Sequence, residues 1–531
     1  MLNLPPHCTL VVRSDSVIQI NFFGDTNMTA ISVQHQQQRR AKVVSQTRLL
    51  VIAAIAIITS DHAAVAQGQF DKLLSRLPVS TNALMVIDVE SVHRSALAVK
   101  EGWQDRHETA YVNQPLILPP ESRRLVLAAQ MNPNHDFAQT WEGAVVELTE
   151  DISMRSIARA EGGYVDQIAG RPAAWTPSDA YFVEFDSKTV GIMHPAHRQA
   201  VARWAEYADR NRTVSLSPYL KRAAASVDAR TQIVLAMDLD NVVQPHRLQE
   251  RLRESEFTRD DAAKQQQWFQ LIKGIQGVGL SVDIGTSARA TLQVDFSAST
   301  APLGRDAKAV LLSVLEQHGI AVSEMRDWSA SVSGTSLKLS GVLTSSGMRR
   351  LFSLLELPTA KFSSLKDESY VVSNEDDVIA KASQGYFKSV STLLNDLHNE
   401  MATNRDARRN MSAVYLERYG RRIDRLPILN VDEELLAYGA AVSETLRGVS
   451  SSSRMAGVRS GVRKSSVYGN YQYEYDGNGY YTSRDNANVK YQIQTEERAE
   501  ASAVRFKSFK EIEDETAAIR VQMTRKYKVE F

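Results

Sequence analysis

Cysteine is almost absent from this chain, which has Cys8 alone in 531 residues. Disulfides, thiolate metal sites and cysteine nucleophiles need thiols, so the sequence excludes them after position 8. Glycine and proline are also few, at 26 and 15 residues, while hydrophobic residues make up 43% of the chain. These proportions exclude a collagen-like or wholly disordered protein and predict a mostly globular one.

An excess of charge of either sign is missing too, because 62 basic residues balance 62 acidic ones. Charge therefore indicates no nucleic acid, anionic membrane or polyanionic substrate as a partner. The length exceeds what one hydrophobic core supports, so we expect two or three domains.

The common catalytic signatures do not occur in the sequence. It contains no G-x-S-x-G elbow, phosphate-binding P-loop, H-E-x-x-H helix or G-x-G-x-x-G fingerprint. The glycines of GIQGVG, residues 274–279, are in the wrong order for dinucleotide binding and fit a turn between a helix and a strand. We therefore predict no cofactor and favour a protein that is not an enzyme.

Hydrophobic runs are short, and the clearest one is LLVIAAIAIITS from Leu49 to Ser60, which follows a basic stretch and ends at Asp61. As a helix it would span roughly 18 Å, less than the roughly 30 Å core of a bilayer. The small residues of Ala64-Val65-Ala66 then fit a signal-peptidase site. We predict a signal peptide that is cleaved before Gln67, with an uncleaved anchor as the alternative.

The true start of translation is open, because 38 residues precede the basic stretch and Met28 begins a segment that has no acid before Asp61. We therefore assign residues 1–66 as leader and signal peptide. The mature chain is expected to lack a stable membrane span.

Residues 67–358 predict a duplicated α+β unit. Short runs of Val, Ile and aromatic residues alternate there with helical stretches. Among them we predict strands at residues 164–169, 172–176, 180–185, 189–193 and 322–325, and a helix at residues 196–209. LMVIDVESV at residues 84–92 and VLAMDLDNV at residues 234–242 share one pattern, 150 residues apart. We predict two copies, at residues 67–215 and 216–358, each with a mainly antiparallel sheet, although chance similarity remains the alternative. Helices, or packing of one copy's sheet on the other's, should cover the exposed sheet faces.

The C-terminal part predicts a helical subdomain at residues 359–448, a Tyr-rich linker at residues 449–494 and a final helix at residues 495–531. An apolar stripe on the final helix must pack on something. We predict that it binds a protein partner or a second copy of the chain. Its members are Phe506, Phe509, Ile512, Ile519 and Met523.

Four polar residues are weak candidates for acid and base catalysis: Asp238, Asp240, His246 and His194. They would form a hydrolase site only if the fold assembled them between the two copies. Asp240 equally suits a turn and helix N-cap after a strand. His194 lies three residues before His197, but no further ligand is apparent, so we predict no metal site.

The signal peptide, the entry strand LPVSTNALMVIDVESV and the segment AYFVEFDSKTVGIMHPAHRQAV together resemble large exported bacterial proteins of unknown function. In these proteins a secretory signal precedes repeated α+β units. The resemblance spans about residues 67–358 and transfers no catalytic residue. It implies an exported, non-enzymatic binding or assembly protein of the periplasm or cell envelope. A hydrolase and a membrane-tethered scaffold are the alternatives.

Overall fold

A computed structural model describes most of the chain after residue 67. The described residues are 68–104, 118, 121–133, 137–318, 320–355, 375–403, 413–426, 428, 430–465, 467, 471–475, 481–485 and 487–531. The predicted signal peptide and its cleavage site lie outside these residues.

Twelve strands form one sheet in which every neighbouring pair is antiparallel. They are β1 Ala83–Ile87, β2 Ser122–Asn132, β3 Ala138–Leu148, β4 Tyr164–Ile168, β5 Arg171–Thr176, β6 Ala180–Asp186, β7 Thr189–His194, β8 Ile233–Asp238, β9 Ile275–Ile284, β10 Ala288–Phe296, β11 Ser329–Ser333 and β12 Ser336–Leu343. Their order across the sheet is β11-β12-β10-β9-β8-β1-β2-β3-β7-β6-β5-β4. This arrangement confirms the predicted α+β class with a mainly antiparallel sheet.

Ten helices accompany the sheet strands along the described chain. They are α1 at residues 68–74, α2 Val89–His93, α3 Ala96–Glu101, α4 Met154–Glu161, α5 Arg198–Arg210, α6 Pro218–Ala224, α7 Pro245–Glu254, α8 Ala262–Lys273, α9 Ala307–Gln317 and α10 Ser345–Phe352. Four further helices follow, α11 Glu375–Thr403, α12 Ala413–Asp424, α13 Glu433–Ser465 and α14 Ala487–Tyr527. A two-stranded hairpin, β13 Tyr471–Tyr475 and β14 Tyr481–Asp485, separates the last two helices.

The two predicted copies join edge to edge at the centre of the sheet, where β1 pairs with β8. Strands β1-β2-β3-β7-β6 lead outward on one side, and β8-β9-β10-β12-β11 lead outward on the other. The two halves thus share a strand order, to which the first half adds the β4–β5 hairpin. Duplication of the sequence stays a prediction. Because both halves belong to one sheet, the alternative in which one copy's sheet packs on the other's is wrong.

One face of the sheet is apolar along both halves, because side chains alternate in direction along each strand. Met85, Leu127 and Val146 of the first half and Leu292 and Leu339 of the second half are buried in one core cluster. That cluster also contains residues of all four C-terminal helices. The helices therefore cover this face. Coverage by helices was the first of the two arrangements that the sequence predicted.

The opposite face is covered only in part. Leu84 and Val86 of β1 belong to a second core cluster with Phe70 of α1, Trp204 of α5 and Leu220 of α6. This cluster contains no residue of β9, β10, β11 or β12. Val234 and Ala236 of β8 do belong to it. Within the described part of the chain, the uncovered face of the second half is therefore that of β9, β10, β12 and β11.

The long helix α13 continues to Ser465, where the composition of residues 449–494 predicted a linker. Its last part packs against α14. Ala456 and Ser460 are buried in this part of the helix. Arg459 of α13 also donates a 2.8 Å hydrogen bond to Glu497 of α14. These tertiary contacts stabilise a helix that its serine- and glycine-rich sequence does not favour alone.

Candidate functional site

The uncovered face of the second sheet half carries a row of hydroxyl side chains. Ser281 of β9 lies opposite Thr291 of β10, which lies opposite Ser340 of β12, and Ser340 lies opposite Ser329 of β11. The Ser340 hydroxyl donates to the Thr291 hydroxyl at 3.0 Å. The Ser329 hydroxyl donates to the Ser340 carbonyl at 3.2 Å. The register thus lines up hydroxyls across four strands.

A second row lies beside the hydroxyls and contains the only lysine of these strands. Gly279, Gln293, Lys338 and Ser331 occupy successive strands in this row. Lys338 is exposed and forms no ion pair with a described residue. We call this surface of β9, β10, β12 and β11 the open polar face.

Asp295, on the same face, has its hydrogen-bond capacity occupied by neighbours. It accepts from Gln293 Nε2 at 2.7 Å, from Ser336 Oγ at 2.5 Å and from the Tyr219 hydroxyl at 3.2 Å. Burial, followed by the charge of Asp295, raises the pKa of Tyr219, so the phenol stays protonated and donates. These hydrogen bonds fix the carboxylate of Asp295 within the sheet. The exposed ammonium of Lys338 has no such ion-pair partner among the described residues.

Tyr219 of α6 marks the border of the open polar face. Its ring lies over Gly277 of β9, where a Cβ atom would approach the ring to 2.4 Å. Glycine is thus required for close packing at this position. The GIQGVG glycines were predicted to form a turn, and Gly274 does end α8 at that turn. The contact with Tyr219 depends on tertiary structure that no local pattern predicts.

The four catalytic candidates are not assembled into one cluster. His194 ends β7 and Asp238 ends β8, and β1, β2 and β3 lie between these strands. Four strand spacings amount to roughly 19 Å. Asp238 accepts a 2.9 Å hydrogen bond from the backbone N–H of Asp240, and His246 is exposed on α7. Asp240 thus lies in the turn after β8, while Gln244 is the residue at the N-cap of α7.

The two nearby histidines make local contacts. His194 Nδ1 lies 2.9 Å from the carbonyl oxygen of Asp179. His197 is the N-cap of α5, and its Nδ1 accepts a 3.3 Å hydrogen bond from the N–H of Ala200. Among the residues that the structure describes, no three potential ligands are grouped for a metal ion.

The apolar stripe of α14 packs within the chain itself. Phe509, Ile512, Ile519 and Met523 are all buried in the core cluster that covers the first sheet face. Phe506 differs, since 71% of its surface is exposed. The stripe was predicted as a binding surface, but its neighbours are other helices of the same chain. The four buried residues are therefore core residues, and Phe506 alone is accessible.

A buried acid between sheet and helix was missed from the sequence. Glu142 of β3 is 1% exposed and lies 3.5 Å from Arg418 of α12 and 3.8 Å from Arg425, just beyond that helix. An acidic residue directly before the apolar run at residues 143–146 was the available signal. A buried charge needs a partner, and here the two partners are 276 and 283 residues away in sequence.

A second buried ion pair joins α10 to α11. Arg349 Nε and Nη2 donate to the two oxygens of Asp396 at 2.6 and 2.7 Å. The Tyr419 hydroxyl of α12 donates to the same carboxylate at 3.2 Å. These charge-assisted bonds fix the orientation of three helices beneath the sheet.

Comparisons with known proteins give few relatives. No family model and no curated protein matches the chain. Among solved structures, crystal form I of TP0453 matches with 10% identity and a TM-score of 0.32, covering 55% of this chain and 97% of TP0453. Crystal form III gives 9% identity, the same TM-score, and coverage of 53% and 96%. Likeness at this level carries no inference about function.

The described helices were also compared with the requirements of a membrane span. None of them combines the length and the apolar character needed to cross a bilayer.

Proposed function

We propose that this chain is an exported, non-enzymatic binding or assembly protein of the bacterial periplasm or cell envelope. Its binding surface is the open polar face of the second sheet half. The basic stretch, the apolar run from Leu49 to Ser60 and the Ala64-Val65-Ala66 site support export. The surface supports binding.

The observation that carries the proposal is the composition of the open polar face. Short Ser, Thr and Gly residues form most of it, whereas the reverse side of the same strands is buried and apolar. Short side chains lose little rotamer entropy when a ligand orders them. Rows of hydroxyls on the surface of a sheet therefore suit hydrogen bonding to an extended polymer.

Lys338 defines the class of ligand. It is an exposed cation amid the hydroxyls and has no acidic partner among the described residues. A bound carboxylate would supply that partner, while the hydroxyls of Thr291 and Ser340 would bond to hydroxyl or amide groups. We assign the ligand as an envelope polymer that bears hydroxyls and carboxylates, such as an acidic glycan.

Co-sedimentation with insoluble cell-wall glycan from the host tests this function. Lys338→Glu reverses the charge at the centre of the face and should reduce the bound fraction several-fold. Lys507→Glu makes the same charge reversal at an exposed position of α14, outside the open polar face, and should bind as the wild type does. Equal binding of all three proteins, or no binding by the wild type, would reject the proposal.

A further inference from the structure

The strand β11 forms an unprotected edge of the sheet. It pairs with β12 on one side, and no described strand lies on its other side. Its sequence SASVS contains no charged residue and no proline, and its register with β12 has no bulge. Natural sheets usually protect an edge by one of these devices, because an open edge attracts a further strand.

The hairpin fixes which backbone groups of β11 point outward. Gly334 and Thr335 form a two-residue loop, so Ser333 and Ser336 are a hydrogen-bonded pair. The alternation of an antiparallel ladder then turns the N–H and C=O groups of Ala330 and Val332 away from β12. Two donors and two acceptors are thereby presented at the edge.

The opposite edge, β4, is protected by side chains. Arg198 of α5 donates to the Gln167 carbonyl at 2.7 Å and to Asp166 at 3.1 Å. The Gln167 N–H donates to the Asp166 carboxylate at 2.7 Å. A charged pair thus occupies outward backbone groups on β4, and nothing comparable lies along β11 among the described residues.

We propose that β11 pairs antiparallel with β11 of a second copy, about a two-fold axis that passes through Ser331. In this register Ala330 lies opposite Val332 of the second copy, and all four outward groups of each strand form hydrogen bonds. The resulting sheet continues from one copy into the other.

The strand is suited to pair with itself. Pairing places Ser329 opposite Ser333, Ala330 opposite Val332 and Ser331 opposite Ser331, so no like charges meet. The chain already joins its two sheet halves in the same manner, through the symmetric antiparallel pairing of β1 with β8. The inference goes beyond the proposed function, since it requires neither export nor a ligand on the open polar face.

Cross-linking tests the register directly. We would use the full chain with Cys8→Ser, so that Ser331→Cys introduces its only thiol. At the two-fold axis this residue forms a non-hydrogen-bonded pair with Cα atoms about 4.5 Å apart, within the range of a disulfide. Oxidation with copper phenanthroline should give a dimer that a reducing agent dissolves.

Two other single-cysteine variants are the matched controls. Ser329→Cys and Ser333→Cys each place equivalent thiols roughly 13 Å apart across the axis, so neither should cross-link alone. A mixture of the two should cross-link, because Ser329 lies opposite Ser333 of the second copy. Equal yields from all three single variants would indicate random collision and overturn the proposal.

Ala330→Pro, at an exposed position of β11, tests the hydrogen bonding. The proline removes an outward N–H and leaves the ladder between β11 and β12 intact. In the Ser331→Cys background it should lower the dimer yield at least about tenfold without lowering the melting temperature. An unchanged yield, the absence of any Ser331→Cys dimer at high protein concentration, or cross-linking only to a different protein would overturn the pairing.

Discussion

Met85 of β1 lies directly opposite Leu235 of β8 at the centre of the sheet. The flanking pairs, Leu84 with Ala236 and Val86 with Val234, are symmetric about this position. The two residues are 150 apart in sequence, as are the two matched nine-residue segments. The halves of the sheet therefore meet through the very segments whose likeness predicted a repeated unit.

Substitutions at this pair should differ in cost. Met85 is fully buried, whereas Leu235 is half-buried. We expect Met85→Ala to lower the free energy of unfolding by about 2–5 kcal/mol, because it leaves a cavity in the core. Leu235→Ala should cost less. Urea unfolding of both variants checks this order, and a larger loss of free energy for Leu235→Ala would contradict the deeper burial of Met85.

The buried pair of Arg349 and Asp396 should contribute far more than a surface pair. Asp396→Ala leaves a buried arginine without its carboxylate, which we expect to cost about 3–5 kcal/mol. Glu206 and Arg210 form an exposed i,i+4 pair at 3.7 Å. Glu206→Ala should change the free energy of unfolding by less than about 1 kcal/mol. Similar losses in the two variants would refute the structural role of Asp396.

The acid between the sheet and α12 leads to an asymmetric prediction. Replacing Arg418 and Arg425 together by alanine leaves Glu142 buried without a cation, so this double variant should lose about 3–5 kcal/mol. Glu142→Gln removes the buried charge itself, and its arginines retain some access to solvent. Glu142→Gln should therefore lower the free energy of unfolding by less than the double arginine variant does. Thermal unfolding of the two proteins decides the order, which would be reversed if Glu142 were solvated.

Asp186 should contribute to acid unfolding. Burial opposes its ionisation, but the Thr189 hydroxyl, Lys72 and the N–H of Lys188 together outweigh burial and lower the pKa of Asp186 to about 2. Because the folded pKa is depressed, the ionised form stabilises the protein above about pH 4, and this contribution is lost as the pH falls toward 2. The carboxylate is partly exposed, so we expect about 1 kcal/mol after screening.

Asp186→Asn should therefore flatten the decline in the free energy of unfolding between about pH 4 and 2. Asp514→Asn, on an exposed part of α14, is the matched control and should keep the wild-type decline. A wild-type decline in the Asp186→Asn protein would show that the acid makes no such contribution.

Local patterns were sufficient for many elements of the first half. The four strands β4 to β7 were predicted within two residues at each end, because alternating Val, Ile and aromatic residues stand between Gly170 and the polar turns Ser178-Asp179 and Asp186-Ser187. The helix predicted at residues 196–209 is α5. Periodicity and turn residues are local properties, so these elements can be predicted from their own short segments of sequence.

Features that depend on distant residues could not be predicted in this way. The apolar stripe of α14 indicated a packing surface, but the sequence did not show that its partners are α11 to α13 of the same chain. Residues 322–325 were predicted as a strand and instead form the 3₁₀ turn Ser323–Arg326, in which Met325 is buried. The open polar face arises from the register of four strands, which no single segment determines.

The intact mass of the protein from its native host, measured together with the cell fraction that contains it, tests the account most directly. Export and cleavage predict a chain in the soluble periplasmic fraction whose mass is that of residues 67–531. A chain that retains residues 49–66 in the membrane pellet, or one that stays in the cytoplasm with its leader intact, would contradict the proposal of a cleaved, exported binding protein.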